Sequence, residues 1–142
     1  HSRSCWGNYG SIMIGIDTNI LVRYIIRDHP GQSKKATDLL ESCTEKEPGF
    51  INAIVLAEFI WVLEKRYKYS REQIFSMLEI LLSTRELKFE HANAAWHATY
   101  TYLKTKAGFV DLFLGRINNY YGCGSTMTFD RNAAQTSDYD IV

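Results

Sequence analysis

No stretch of this chain of 142 residues approaches the roughly 20 consecutive apolar residues that a bilayer-spanning helix requires, so an integral membrane protein is not expected. Net charge is missing as well. Sixteen basic residues balance sixteen acidic ones, which removes any global pull towards nucleic acid or an anionic membrane and leaves such binding to local patches. Cysteine is scarce: Cys5, Cys43 and Cys123 are odd in number and show no C-x-x-C spacing. That pattern argues against a disulfide framework and against a zinc cluster, and makes a reducing cytoplasm the expected location. Repeats, low-complexity tracts and linkers are absent, and no phosphate-cradling P-loop occurs.

What is present fits one globular domain with a sizeable core: 46% of residues are hydrophobic and 23% charged. The first twelve residues, HSRSCWGNYGSI, begin without Met and contain no long apolar region, while Met13 opens a strand-like run. Residues 1–12 are therefore expected to be a leader or an expression remnant, and residues 13–142 a single domain.

Met13 to Ile16 reads as a short strand, and the apolar spacing of NILVRYIIR as the helix after it. A second helix is expected over Gln32 to Lys46, closed by Pro48 and Gly49, with Phe50 and Ile51 as a strand remnant. Asn52 is a plausible N-cap for the helix that follows. SREQ at 70–73 has the spacing of a capping box before the amphipathic IFSMLEILL. Further helices are expected over residues 89–106 and, after Gly108, over FVDLFLGRINNYY; STMTFD and DYDIV read as strands. Short strands between long helical segments indicate an α/β sandwich with a central, mostly parallel sheet, whose ligands bind beyond the carboxyl ends of the strands.

Four acids stand out against that frame. Glu58 interrupts the apolar run Ala53 to Leu63, and its helical neighbours are Ile54, Val55, Trp61 and Val62. A carboxylate in such surroundings needs a compensating charge, a proton or a metal. Asp17 and Asp130 each follow a predicted strand, where an N-cap or turn role is the plain alternative. Asp111 lies in the first turn of a helix, where the dipole favours negative charge. Convergence of the four on one point is the simpler account. Gathered carboxylates repel one another and either take up protons or share a divalent cation, and hard oxygen ligands without a His/Cys cluster suit Mg²⁺ or Mn²⁺.

The motifs IGIDTNILVRY, VLAEFIWVL around Glu58, GFVDLFL around Asp111 and TFDRN around Asp130 occur in the order and approximate spacing of the PIN domain. From Ile14 to the C-terminus the chain resembles PIN domains of the VapC toxin type, the ribonuclease half of a bacterial toxin–antitoxin pair. The resemblance implies a PIN-like three-layer α/β/α sandwich. It also implies metal-dependent hydrolysis of RNA, with Asp17, Glu58, Asp111 and Asp130 holding Mg²⁺ or Mn²⁺ and with Asn19 and Thr128 lining or supporting the site. A homodimer and a small antitoxin partner are implied too. One departure is visible: where family members often carry a further acid three residues before the Asp111 position, this chain has Gly108. One metal ion is therefore expected, with a second left open.

Phosphate contacts need local positive charge, and Arg23 and Arg116 are the favoured donors because both lie on helices that begin beside one of the four acids. Two rival readings have their own tests. A noncatalytic PIN-fold module would bind RNA or protein without gaining activity from Mn²⁺. A phosphohydrolase of the haloacid dehalogenase type also begins with an acid after its first strand, but the run here is DTN rather than paired acids.

Overall fold

The computed structural model describes residues 12–142, so the expectation for the leader falls, but for Ile12, outside the described residues. The chain divides into two compact units, one built from the residues up to Phe59 together with Ser83–Glu90, the other from Ile60–Leu82 and His91–Val142.

In the first unit, strand β1 (Ile14–Gly15) leads into helix α1 (Thr18–Ile25), then α2 (Pro30–Glu41), β2 (Gly49–Ile51) and the first turns of α3 (Ala53–Lys65); β3 (Leu87–Phe89) completes it. The ladder is parallel throughout with β2 in the middle, pairing Ile14 with Gly49 and Gly49 with Leu87. Gly49 sits at a close approach: a Cβ there would lie 3.0 Å from Ile16 Cγ1 and 3.1 Å from Leu87 Cδ2, so those side chains would have to give way. Leu21, Val22, Ala36, Leu40, Ile51, Leu56 and Phe59 are buried and belong to the core of this unit.

Helix α2 starts two residues earlier than the sequence indicates and ends five residues sooner. Pro30 occupies its first turn, where a missing N–H costs nothing, and His29 Nδ1 accepts from the Gln32 N–H at 3.2 Å as the cap. Asn52 caps α3 as expected, its Oδ1 accepting from the Val55 N–H at 2.9 Å. A second cap comes from far along the chain: Glu90 Oε1 accepts from the Ala53 N–H at 2.7 Å.

The second unit holds the rest of α3, then α4 (Arg71–Leu82), α5 (Ala92–Tyr102), α6 (Phe109–Tyr120), β4 (Thr126–Thr128), the short α7 (Arg131–Ala134) and β5 (Tyr139–Ile141). β4 and β5 pair in parallel, Thr126 with Tyr139 and Thr128 with Ile141. The capping box of α4 is reciprocal: the Ser70 N–H donates to Gln73 Oε1 at 2.8 Å and the Gln73 N–H to Ser70 Oγ at 3.1 Å. Tyr102 meets Phe109 edge to face at 6.3 Å between ring centroids, and Phe109 stacks on Phe113 at 5.5 Å. Arg71 lies 3.7 Å over the Tyr102 ring and one of its nitrogens, Nη2, donates to the carbonyls of Tyr102, Thr105 and Ala107. That one nitrogen ties together the backbone of the turn from which α6 departs.

Helices alternating with parallel strands place the chain in the α/β class, as the sequence indicates. The strands form two parallel ladders, one in each unit. Among the described residues no helix is long and apolar enough to cross a membrane.

Candidate active site

In the first unit the end of β1 delivers Asp17 to the N-cap of α1, with extended backbone at φ −79° and ψ 158°. Its Oδ1 accepts from the Thr18 N–H at 2.8 Å, which orients the carboxylate. The Thr18 hydroxyl donates to Glu58 Oε1 at 2.8 Å. One threonine thus grips both acids, by its backbone and by its side chain.

Glu58 itself is exposed, and so are two of the apolar neighbours that the sequence places around it, Ile54 at 70% and Trp61 at 56%. The expected apolar enclosure is therefore absent on that face of α3. Val55 is buried and helps to anchor the helix, but Glu58 stands on an outward stripe of mixed character. Thr18, not a buried pocket, fixes its position.

In the second unit, Asp111 sits half-buried in the first turn of α6, behind Gly108 at the N-cap. Burial pushes its carboxyl above the ordinary aspartate range, and the charge of Asp130 pushes it further. Asp130 is the N-cap of α7, its Oδ1 accepting from the Ala133 N–H at 2.8 Å. Thr128 Oγ1 accepts from the Asp130 N–H at 2.9 Å, which orders the turn after β4. Tyr139 closes the cluster from β5, donating its hydroxyl to the Asp111 backbone carbonyl at 2.6 Å. Burial, and then the charges of Asp111, Asp138 and Asp130, push the Tyr139 phenol up to about 12. Gly115 makes this approach possible, because a Cβ there would lie 2.5 Å from the Tyr139 ring.

The two favoured arginines are engaged elsewhere than with the four acids. Arg23 donates through Nη1 to Asp28 and through Nε to Gln32, each at 2.8 Å, tying α1 to the start of α2. Arg116 stands 3.5 Å from Asp138 Oδ2 and 3.2 Å from His97 Nε2, and donates to Asn119 Oδ1. Asn19 is exposed. Thr18 and Tyr139 were not singled out from the sequence. A threonine between two cap formers and a tyrosine in a last strand carry no signal until the fold shows what their hydroxyls reach.

Among the described residues no three His, Cys, Asp or Glu side chains stand together as a ready-made metal site. That does not conflict with Mg²⁺, which keeps several waters and is held by one or two carboxylates plus substrate phosphate. The donors fit such an ion: they are hard oxygens, and the burial that raises Asp111, together with the nearby charge of Asp130, is what a divalent cation offsets.

A comparison with curated proteins finds no match. The family model of the PIN domain matches residues 14–139, a span that holds all four acids. The chain thus belongs to the PIN domain family, whose members are typically nucleases that use divalent metal ions.

Proposed function

We propose that this protein is a Mg²⁺- or Mn²⁺-dependent endoribonuclease of the VapC toxin type, with Asp17, Glu58, Asp111 and Asp130 acting as one set. The observation that carries the reading is the raised Asp111 carboxyl, half-buried beside a second acid. A structural role gives no reason to hold two like charges near one another, whereas a cation gives one. Bound Mg²⁺ or Mn²⁺ supplies a Lewis acid and a more acidic water for in-line attack on the phosphodiester. Asp17 and Glu58 offer oxygens fixed by Thr18, and Asp111 and Asp130 offer oxygens whose mutual repulsion needs neutralising. We assign to Asp130 the further role of orienting the attacking water, a reading supported by a cap bond that engages Oδ1.

The proposed partners are RNA, a small antitoxin and a second copy of the chain, with the cytoplasm as the place of action. The exposed Ile54 and Trp61 on α3 are the apolar side chains that such a protein partner would cover. Light scattering at micromolar concentration returning a monomer mass would remove the homodimer.

The test uses Asp17→Asn and Asp17→Ala in a cleavage assay on total RNA titrated with Mn²⁺. Asn caps a helix as well as Asp does, so Asp17→Asn is expected to leave stability unchanged and to abolish cleavage; Asp17→Ala loses cleavage and about 1 kcal/mol of stability. Wild-type cleavage by Asp17→Asn would overturn the assignment. A noncatalytic module, the reading left open by Gly108, predicts instead that Mn²⁺ adds no activity to any form.

A further inference from the structure

We propose that the second unit carries a nucleotide subsite, a cavity of about 620 Å³ that seats one unstacked base of single-stranded RNA together with its phosphate. The inference rests on the nuclease reading for its substrate class and on the cavity for its chemistry.

The first turn of α5 and the last turns of α6 form the walls, with His91, Asn93, His97, Arg116, Tyr120 and Tyr121 as the side chains that matter. The volume lies within the range of roughly 300–1,000 Å³ of small-molecule pockets. Three rings meet edge to face at its rim: Tyr120 and Tyr121 at 5.4 Å and 88°, His91 and Tyr121 at 5.8 Å and 77°, and His91 and Tyr120 at 6.4 Å and 65°. Edge-on packing leaves ring faces unstacked by one another. Tyr120 and Tyr121 are 77% and 70% exposed, so neither contributes much to a core. Exposed aromatic faces of this kind are what single-stranded bases stack upon.

The polar wall supplies the rest. The Arg116 guanidinium is held by an ion pair with Asp138 and by contacts with His97 and Asn119, the latter two accounting for two of its five N–H donors. An anchored, planar fork with donors to spare is suited to a phosphate oxygen. The exposed Asn93 amide offers both a donor and an acceptor to a base edge. Arg116 and Tyr120 also lie on the helix that carries Asp111, roughly 7 and 13 Å further along its axis at about 1.5 Å per residue. One helix therefore presents an acid of the candidate site and the floor of the cavity. His91 takes a left-handed conformation at φ 55°, an uncommon state for a non-glycine residue, and its ring meets both tyrosines.

The test is fluorescence anisotropy of a short labelled oligouridylate in EDTA, which reads binding with cleavage switched off. Tyr120→Ala and Tyr121→Ala are each expected to weaken binding about 10-fold, while Tyr120→Phe keeps wild-type affinity because the ring face is what acts. Tyr100→Ala, an exposed aromatic outside the cavity, is expected to bind as wild type. Circular dichroism confirms that each variant is folded. Unchanged affinity in both alanine variants overturns the proposal, as does a wild-type protein that fails to bind the strand. A loss of dimer mass by light scattering with affinity intact also overturns it, and assigns the rim to a second copy of the chain. Weakened binding in the variants, with no cation restoring cleavage to wild type, sustains the subsite and sinks the nuclease reading. Metal-dependent cleavage by wild type with variants that bind normally does the reverse.

Discussion

Replacing Thr18 by Val removes one hydroxyl and keeps the shape, so it isolates the hydrogen bond to Glu58. In the structure that hydroxyl donates to Glu58 Oε1 at 2.8 Å, while Glu58 itself is exposed and has no wall of side chains to hold it. Without the bond the glutamate regains rotamer freedom, a term of up to about 2 kcal/mol for a fully fixed side chain. The bond itself is charge-assisted and worth about 1.5–3 kcal/mol where water does not compete, less at an exposed position. A loss of about 1–2 kcal/mol in the affinity of Glu58 for a cation is the expected outcome, or about 5- to 30-fold in Kd, overlapping the lower part of the roughly 10- to 100-fold span seen when groups supporting a metal ligand are removed. Calorimetric titration with Mn²⁺ measures it directly, and Mn²⁺-dependent RNA cleavage should fall in parallel. Thr18→Ser is the control, since it keeps the hydroxyl and loses only a methyl. Equal Mn²⁺ affinity in Thr18→Val and wild type would refute the reasoning, and so would a Ser variant as weak as the Val variant.

Three further outcomes are expected. Asp111 is raised above its ordinary value in the fold, so the folded state binds its proton more tightly than the unfolded chain does. Metal-free stability should then rise as pH falls through the window from the raised pKa down to the ordinary 3.8, and Asp111→Asn should flatten that slope while abolishing cleavage; parallel melting-temperature profiles against pH would contradict it. Arg71→Lys replaces the planar guanidinium that covers the Tyr102 ring, and whose Nη2 is shared among three carbonyls, with a compact ammonium, and should cost about 2–4 kcal/mol in urea denaturation; a loss below about 0.5 kcal/mol would show that the turn before α6 holds without it. Gly108 has ordinary φ of −71° and open space around its missing Cβ, so Gly108→Asp should fold normally and raise Mn²⁺ stoichiometry or affinity by restoring an acid at the α6 N-cap. Unchanged Mn²⁺ binding by that variant would show that the position lies out of reach of the ion.

Local signals in the sequence carried well where the chemistry was local. Ser70 and Gln73 cap each other, and Asn52 caps α3, because such bonds join residues three apart whatever the rest of the chain does. Signals failed where a partner came from far away. Strand β3 is three residues long, too short for a period, and the expected helix over 89–106 took its last residue; pairing with β2 returns Phe89 to the ladder and shortens the helix to Ala92–Tyr102. The cap that Glu90 gives Ala53 spans 37 residues, and Thr18 reaches Glu58 across 40. The apolar run around Glu58 was read as enclosure because periodicity reports which residues share a helix face and not whether that face is covered; Ile54 and Trp61 lie exposed on it.

Three of the four acids also have the ordinary role that the sequence offered for them, and this does not weaken the functional reading. Asp17 and Asp130 are true N-caps, and Asp111 does sit in a first turn. A cap bond consumes one oxygen and fixes the plane of the carboxylate, which is the restraint a metal ligand needs from its surroundings. It also delivers the group to a helix N-terminus, where a negative charge is least costly. Neither role explains why Asp111 is half-buried near a second carboxylate, since a dipole is satisfied equally well by an exposed side chain. Structural duty accounts for where each acid points. The unfavourable charge of the Asp111–Asp130 pair is the remainder, and it is the part that calls for a cation.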